Sequence, residues 1–253
     1  KEAQQIVEIK KGVDAELADV SECGLIEVIA QEYGAEVTGD VRTVSDSGAI
    51  TVKENAWSYI AAGTITAVAP AAGQDGTFIT IDGESLFGGG NSVKAVTLAG
   101  VSGFVEEQSD TQLIVRAFPG PSDGEVGDII ITGSSGVTVR LVDGWTYSGV
   151  QAVTPNYGNR GTLVEITGLA LFAGGASVAE IRLGEVVVDE IVSSNETTIV
   201  VNAAFESVLS DQTGNVYILM DNGQTVTGVN AWTYKVAGDI AEVSPSSGQY
   251  GTR

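Results

Sequence analysis

The chain contains no histidine and almost no cysteine. Its 253 residues include no histidine and only one cysteine, Cys23. Histidine is the commonest general base and the usual activator of nucleophiles, so its absence argues against acid–base and nucleophilic catalysis. A single cysteine excludes an intrachain disulfide, and we interpret Cys23 as an incidental small residue rather than a reactive thiol. We predict that the protein is not an enzyme and uses no cofactor.

Basic residues are also scarce. Twelve Lys and Arg stand against 33 Asp and Glu, which gives a formal charge of −21. The charge is −7 in residues 1–63 (5 basic, 12 acidic), −7 in 64–150 (3 and 10), −6 in 151–238 (3 and 9) and −1 in 239–253 (1 and 2). Such a field repels nucleic acid and anionic lipid, so neither is a predicted partner. No Asp-x-Asp-x-Asp-Gly loop is present; we predict no metal site and leave calcium dependence open.

Long apolar runs are missing as well. None approaches the roughly 18 residues that a membrane-spanning helix needs, so we predict no membrane insertion. Only five prolines occur, and 43% of the residues are hydrophobic, which favours an ordered chain. The first residues, Lys1–Gln5, do not resemble a signal peptide. We expect either that a leader has been removed or that this is a piece of a longer protein.

What the chain does contain is an internal repeat. The pattern P-x-x-G-x-x-G-T occurs three times, at Pro70–Thr77, Pro155–Thr162 and Pro245–Thr252. An aromatic pair recurs with it, as Trp57 and Tyr59, Trp145 and Tyr147, and Trp232 and Tyr234. The Trp-to-Trp steps are 88 and 87 residues and the Pro-to-Pro steps are 85 and 90. A fixed period of this length indicates a string of small domains.

The repeats divide the chain into four segments. Residues 64–150 and 151–238 are predicted to be complete modules. Residues 1–63 form a partial module without its opening strands, and residues 239–253 form the opening segment of a further one. The links at Ile60–Gly63 and Ser148–Val150 are short, so we predict a semi-rigid rod of modules placed end to end.

Each module is predicted to be an antiparallel β-sandwich. Short segments rich in Val, Ile and Thr recur every 8 to 14 residues between Gly- or Ser/Asp-rich breaks, and no helical stripe is visible. In the first complete module the predicted strands are Thr64–Val68, Phe78–Ile81, Val93–Leu98, Gly103–Glu106, Gln112–Ala117, Asp128–Thr132 and Thr138–Tyr147.

Two sets of residues are assigned structural roles. The aromatic residues Trp57, Tyr59, Trp145, Tyr147, Trp232 and Tyr234 lie at i and i+2 of a final strand, so each pair shares one face, and we predict that they fill the core. The alternative is an aromatic platform on which sugars stack. The turn residues are Pro70, Gly73, Gly76, Pro155, Gly158, Gly161, Pro245, Gly248 and Gly251, because Pro cannot donate to a ladder and Gly tolerates positive φ.

One modification signal is present. Asn195-Glu196-Thr197 is an N-glycosylation sequon in a predicted turn, which favours an extracellular setting.

These motifs together resemble the IPT/TIG family of immunoglobulin-like modules, found in plexins, some transcription factors and many extracellular repeat proteins. The opening runs from Ile65 through Pro70 to Gly83 and returns from Ala152 to Gly168. The central element is Val96–Gly100 and then Ile181–Gly184. The resemblance covers nearly the whole chain and implies the fold. The family serves adhesion, receptor ectodomains, carbohydrate-active enzymes and DNA binding, so the fold does not select a function.

We predict a non-catalytic structural or adhesive segment of a long extracellular or surface-filament protein. Its modules would act as spacers and as contact surfaces for self-association or for other surface proteins. The alternatives are a ligand- or carbohydrate-binding ectodomain, or accessory domains of a larger polysaccharide-active enzyme. The two incomplete ends fit a window cut from a longer array. A rarer reading is head-to-tail assembly, in which Asp239–Arg253 completes the first module of the next chain.

Overall fold

The computed structural model describes residues 6–9, 13–14, 16–20, 26–29, 36–45 and 47–251. Throughout these residues the regular elements are β-strands, which confirms the predicted all-β class. The chain falls into two compact units, Lys1–Ala62 and Gly63–Arg253. Cys23, Thr252 and the start of the chain at Lys1–Gln5 lie outside the described residues.

The first unit contains two sheets in its described part. Its strands are β1 (Ile6–Ile9), β2 (Val13–Asp14), β3 (Glu16–Val20), β4 (Ile26–Ile29), β5 (Val37–Val44) and β6 (Ile50–Tyr59). One sheet has the order β2-β1-β5-β6, and the other consists of the β3–β4 hairpin. The long β5–β6 hairpin carries the first Trp–Tyr pair on β6.

The second unit begins with an eight-stranded module. Its strands are β7 (Thr64–Ala69), β8 (Ala72–Gly73), β9 (Phe78–Glu84), β10 (Val93–Leu98), β11 (Val101–Gln108), β12 (Gln112–Ala117), β13 (Glu125–Gly133) and β14 (Thr138–Tyr147). They pair in the order β7-β9-β12-β11-β10-β13-β14-β8. Buried residues of both halves of this sheet contact one another in a single core, so the sheet folds over into two layers.

Strand β11 is where the sheet changes layer. Its first residues, Val101–Gly103, pair with β10, and Gly103–Gln108 pair with β12. Gly103 belongs to both pairings, and a Cβ there would lie 2.7 Å from Cγ1 of Val115. Only glycine allows the two layers to approach this closely at the crossing. The predicted strand, Gly103–Glu106, was therefore too short: the observed strand begins at Val101, in the part that pairs with β10.

The second module repeats this plan in nine strands. They are β15 (Gly149–Thr154), β16 (Tyr157–Gly158), β17 (Leu163–Leu169), β18 (Val178–Leu183), β19 (Val186–Val187), β20 (Glu190–Ser194), β21 (Thr198–Asn202), β22 (Gln212–Met220) and β23 (Thr225–Tyr234). The layers are β15-β17-β21-β20 and β16-β23-β22-β18-β19. The equivalent of β11 is split into β19 and β20, so the two layers are separate sheets.

Alternation of side chains builds each core. In β9, Ile79 and Ile81 are fully buried while Phe78, on the other face, is exposed; in β22, Val216, Ile218 and Met220 point inward. Each module has its own set of buried residues, and the two sets do not share members.

The P-x-x-G-x-x-G-T turn carries the chain from one layer to the other. β7 pairs with β9 in the first layer, and after the cis Ala69–Pro70 bond β8 pairs in parallel with β14 in the second. The second module does the same around the cis Thr154–Pro155 bond. Proline suits this position because it has no N–H to place in either ladder. Residues 239–251, which contain cis Ser244–Pro245, are exposed and form no strand.

Only one residue separates the two modules. β14 ends at Tyr147 and β15 begins at Gly149, and the intervening Ser148 is fully buried. The N–H of Ser148 donates to the carbonyl of Gly73 (2.9 Å), and that of Val150 donates to Ser122 (3.2 Å). The link is therefore tied by its backbone to the first module.

Contacts beside the link hold the modules further. A Cβ on Gly124, in the loop before β13, would lie 3.1 Å from Cβ of Leu169 in β17. On another side, a Cβ on Gly174 would lie 2.9 Å from Cβ of Pro70. Glycine at these two positions lets the loops of one module touch the other.

Candidate functional site

Two of the three aromatic pairs lie deep in the modules. Trp145, Tyr147 and Trp232 are fully buried and Tyr234 is nearly so. The rings of each pair are T-shaped, with centroids 5.7 Å apart in the first complete module and 5.6 Å apart in the second. Burial raises the pKa of both tyrosines to about 12, with smaller contributions from Asp75 at Tyr147 and from Glu206 and Asp189 at Tyr234. These rings present no face to a ligand.

Trp57 contradicts its predicted core position, because 40% of its surface is exposed. It still forms a T-shaped pair with the half-buried Tyr59, at 5.9 Å. In its described residues the second sheet of this unit has only β3 and β4, whereas the corresponding sheet of the second complete module has four strands. Fewer strands leave less side-chain surface to cover the indole.

The turn residues act through close packing and positive φ. Gly76, Gly161 and Gly251 have φ of 80°, 79° and 93°. At Gly73 and Gly158 a Cβ would collide with the side chains of Thr77 and Thr162. Gly248 is exposed. The pattern P-x-x-G-x-x-G-T thus combines a tight contact at its first glycine with a left-handed residue at its second.

An amide inside this turn ties three loops together. Gln74 Nε2 donates to the carbonyls of Pro121 (3.1 Å) and Ser148. In the second module Asn159 Nδ2 donates to the carbonyls of Glu206 (2.9 Å) and Lys235 (2.8 Å). In each module this side-chain amide binds the carbonyl of the residue just after the last strand. In the first complete module that residue, Ser148, is also the link to the next module.

Sequence reasoning missed a feature that occurs three times. Two residues before each tryptophan stands a positive-φ residue, whose N–H donates across the hairpin to a side chain. The donors and acceptors are Asn55 to Asp40 (2.9 Å), Asp143 to Asp128 (3.0 Å) and Asn230 to Asn215 (2.9 Å). The sequence carries a signal for this bond. In each copy an Asp or Asn that follows a glycine stands 15 residues before the Asn or Asp that precedes the tryptophan by two positions. At Asp128 this hydrogen bond lowers the carboxyl pKa, assisted by Arg140.

Asn195 lies at an exposed turn between β20 and β21. Its Oδ1 accepts hydrogen bonds from the N–H groups of Thr197 and Thr198, both at 2.9 Å, and from the hydroxyl of Thr197 at 3.1 Å. The sequon is accessible, and glycosylation stays a prediction.

The first complete module displays a row of exposed aromatic side chains. Phe78, Arg116 and Phe104 are direct cross-strand neighbours on β9, β12 and β11, and Phe118 follows two residues after Arg116. The phenylalanines are 58%, 48% and 36% exposed in the order 78, 104, 118. The guanidinium lies 5.5 Å from the centroid of Phe104 and 5.9 Å from that of Phe118, and it pairs with Glu106 at 2.9 Å. We call these four residues the aromatic row.

The fold does not require the aromatic row. In the second module the equivalent positions across β17, β21 and β20 are Leu163, Asn202 and Glu190. The same sandwich therefore forms without it. Exposed aromatic residues beside an arginine are a composition typical of protein contact surfaces.

A groove lined by both polar and apolar groups begins at the module junction. A cleft of about 350 Å³ is lined from the first complete module by Gln74, Asp75, Gly120 and Ser122, and from the second by Gly223, Gln224, Thr225 and Thr227. A second cleft of about 310 Å³ shares Thr225 and is lined by Glu180, Arg182, Glu185, Tyr217 and Leu219. We call the two clefts together the junction groove.

The floor of the junction groove is the outer face of one sheet. Arg182, Tyr217 and Thr227 are neighbours across β18, β22 and β23, and Glu180, Leu219 and Thr225 form the next row. Arg182 Nε donates to Glu180 Oε1 at 2.6 Å, which raises the guanidinium pKa. The hydroxyl of Tyr217 accepts from Asn215 Nδ2 at 2.9 Å, so its own proton is free to donate.

Two further features, a metal-binding cluster and a membrane-spanning helix, are absent from the described part of the chain. There, no three His, Cys, Asp or Glu side chains are grouped so as to hold a metal ion. The same residues include no helix of the length and apolarity needed to cross a bilayer.

No protein-family model and no curated protein sequence matches the chain. Among solved structures, it is similar to the surface glycan-binding protein SGBP-B from the Bacteroides ovatus mixed-linkage glucan utilization locus, in complex with a mixed-linkage heptasaccharide. The identity is 17% and the TM-score 0.28, over 93% of this chain and 60% of that one. It is also similar to the plexin A4 extracellular region, with 15% identity and a TM-score of 0.35, over 96% of this chain and 27% of that one. A third similar structure is PbSGBP-B, a surface glycan-binding protein from Prevotella bryantii. The identity is 15% and the TM-score 0.28, over 67% of this chain and 42% of that one.

The chain thus spans less than two thirds of the length of these three structures. Its own strand order and paired layers define the class: tandem immunoglobulin-like β-sandwiches.

Proposed function

We propose that the chain is a non-catalytic segment of an extracellular or cell-surface protein, built from IPT/TIG-type modules that act as semi-rigid spacers. The observation that carries this proposal is the junction: one buried residue, Ser148, separates the last strand of one module from the first strand of the next. Backbone hydrogen bonds and glycine-mediated contacts then restrict bending. The modules are residues 64–150 and 151–238, with a partial module in 1–63 and an opening segment in 239–253.

Small-angle scattering on residues 64–238, which contain both complete cores, tests the spacer. We expect the profile of two modules in one fixed orientation. The control is the same fragment with a flexible Gly-Ser insertion between Ser148 and Gly149, which should scatter as freely jointed beads. Identical profiles for the two proteins would refute the semi-rigid spacer.

We propose further that the aromatic row is a protein contact surface, used for self-association or for another surface protein. Aromatic rings and arginine supply large contact area at interface centres. The net charge of −21 opposes association between copies, so contact between copies should strengthen as salt screens that repulsion.

Sedimentation of the full chain in low and high salt tests this surface. Phe78→Ser should reduce association in high salt. Leu163→Ser is the matched control, because Leu163 occupies the equivalent position and is 57% exposed. Equal association of the two variants would remove the aromatic row as the site of self-contact.

The junction groove favours a second candidate function, carbohydrate binding. One of its clefts lies between two modules, a common location for ligand sites, and its lining combines apolar surface with hydroxyl, amide and carboxylate groups. Calorimetry with soluble neutral polysaccharides tests this candidate. Absence of binding to all of them would leave the spacer as the proposed function.

A further inference from the structure

We infer that the junction groove binds one extended, neutral oligosaccharide across both complete modules, with Tyr217 at its centre. This inference rests on carbohydrate binding as the candidate function and adds the site, the ligand class and the need for both modules. Each cleft falls in the range of roughly 300–1,000 Å³ typical of ligand sites. Because the two clefts share Thr225, their natural occupant is an elongated molecule.

The charge of the lining selects a neutral ligand. Asp75, Glu180 and Glu185 outnumber the single cation, Arg182, which is already paired with Glu180. The whole chain adds a strong negative field. Phosphate, sulfate and uronate groups would therefore be repelled.

The hydrogen-bonding groups suit a molecule with many hydroxyls. The Arg182–Glu180 pair places a donor beside an acceptor, the arrangement that two adjacent hydroxyl groups of a sugar can satisfy together. Along the rest of the groove, the hydroxyls of Ser122, Thr225 and Thr227 and the side-chain amide of Gln224 make no hydrogen bond with any residue that the structure describes. Tyr217 adds a half-buried ring and a free hydroxyl proton.

The site depends on the junction and is not a general property of the fold. The Gln74 amide, committed to Pro121 and Ser148, holds the wall supplied by the first complete module. In that module the row equivalent to Arg182, Tyr217 and Thr227 is Thr97, Ile130 and Arg140. The same face there lacks the tyrosine, and its arginine, Arg140, pairs with Asp128.

Calorimetry on the full chain tests the inference. The probes are hexasaccharides of neutral gluco-, xylogluco-, malto- and manno-types, with an oligogalacturonate as the anionic control. We expect at least one neutral probe to bind and the oligogalacturonate not to bind. Tyr217→Ala and Arg182→Met should each weaken binding at least tenfold, while Ile130→Ala, the matched control, should leave it unchanged. Melting temperatures of all variants check that they fold.

The outcomes separate the site from the function. Neutral binding that both groove variants leave intact would overturn the junction groove as the site and leave carbohydrate binding in place. Failure of every neutral probe would overturn both. Binding of the anionic probe alone would overturn the ligand class. Loss of binding in only the groove variants, with unchanged melting temperatures, would support the inference.

Discussion

Replacing Trp145 by alanine should remove much of the stability of the first complete module. The side chain is fully buried, and an aromatic side chain buries about 150–250 Å², worth about 4–6 kcal/mol at roughly 25 cal/mol per Å². Loss of the T-shaped contact with Tyr147 adds to this cost. Against it, Nε1 of Trp145 is buried without an acceptor among the described residues, and removing such a group recovers about 1–3 kcal/mol. We expect a net loss of about 3–4 kcal/mol, close to measured costs of deleting a core aromatic.

Differential scanning calorimetry of the full chain measures this effect. For a module of this size each 1 kcal/mol moves the melting temperature by about 4–8 °C, so a loss of about 3–4 kcal/mol should lower it by roughly 12–32 °C. Trp232→Ala should destabilise the second module by a similar amount, because its tryptophan is equally buried and also lacks an acceptor within the described chain. Phe104→Ala, which alters an exposed ring, should change stability by less than about 1 kcal/mol. A fall of less than about 4 °C for Trp145→Ala would refute the core argument.

Two further predictions follow from the same interior and from the junction. Burial raises the pKa of Tyr147 and Tyr234 to about 12, so the folded state keeps protons that the unfolded state loses above pH 10. The contribution of these tyrosines to stability is therefore full below pH 10 and is lost as the pH rises toward 12. The loss at pH 11 is about 1.4 kcal/mol per tyrosine. Urea unfolding at pH 9 and 11 measures the loss, which Tyr147→Phe should halve; equal stability at both pH values would contradict it. Gly149→Ala should loosen the junction, because the added Cβ meets the backbone of Asp123 and Gly124, whereas Gly238→Ala meets nothing within 4 Å. Indistinguishable scattering from these two variants would show that the close contact does not hold the modules.

The sequence alone was enough to predict the all-β, sandwich class, which the structure confirms, and to divide the chain into proposed modules. The period of the Trp–Tyr pairs and of the P-x-x-G-x-x-G-T turns needs no tertiary information, since the same local chemistry recurs at steps of 85 to 90 residues. Strand-forming segments likewise predicted the longer strands of the first complete module, because side chains of a strand point to opposite faces by geometry alone, whereas the short strands β8 and β16 lie in segments predicted to be turns. These are local properties of the chain. They do not depend on which strands become neighbours.

Tertiary structure decided everything that depends on neighbours. Phe78, Arg116 and Phe104 are far apart in sequence and became one aromatic row only when β9, β12 and β11 paired in register. The junction groove needed two modules held in one orientation, which no pattern within either module reveals. Trp57 has the same sequence context as Trp145, two residues before a tyrosine, yet 40% of its surface is exposed. Burial depends on how many strands cover a side chain and not on its spacing from the next aromatic residue.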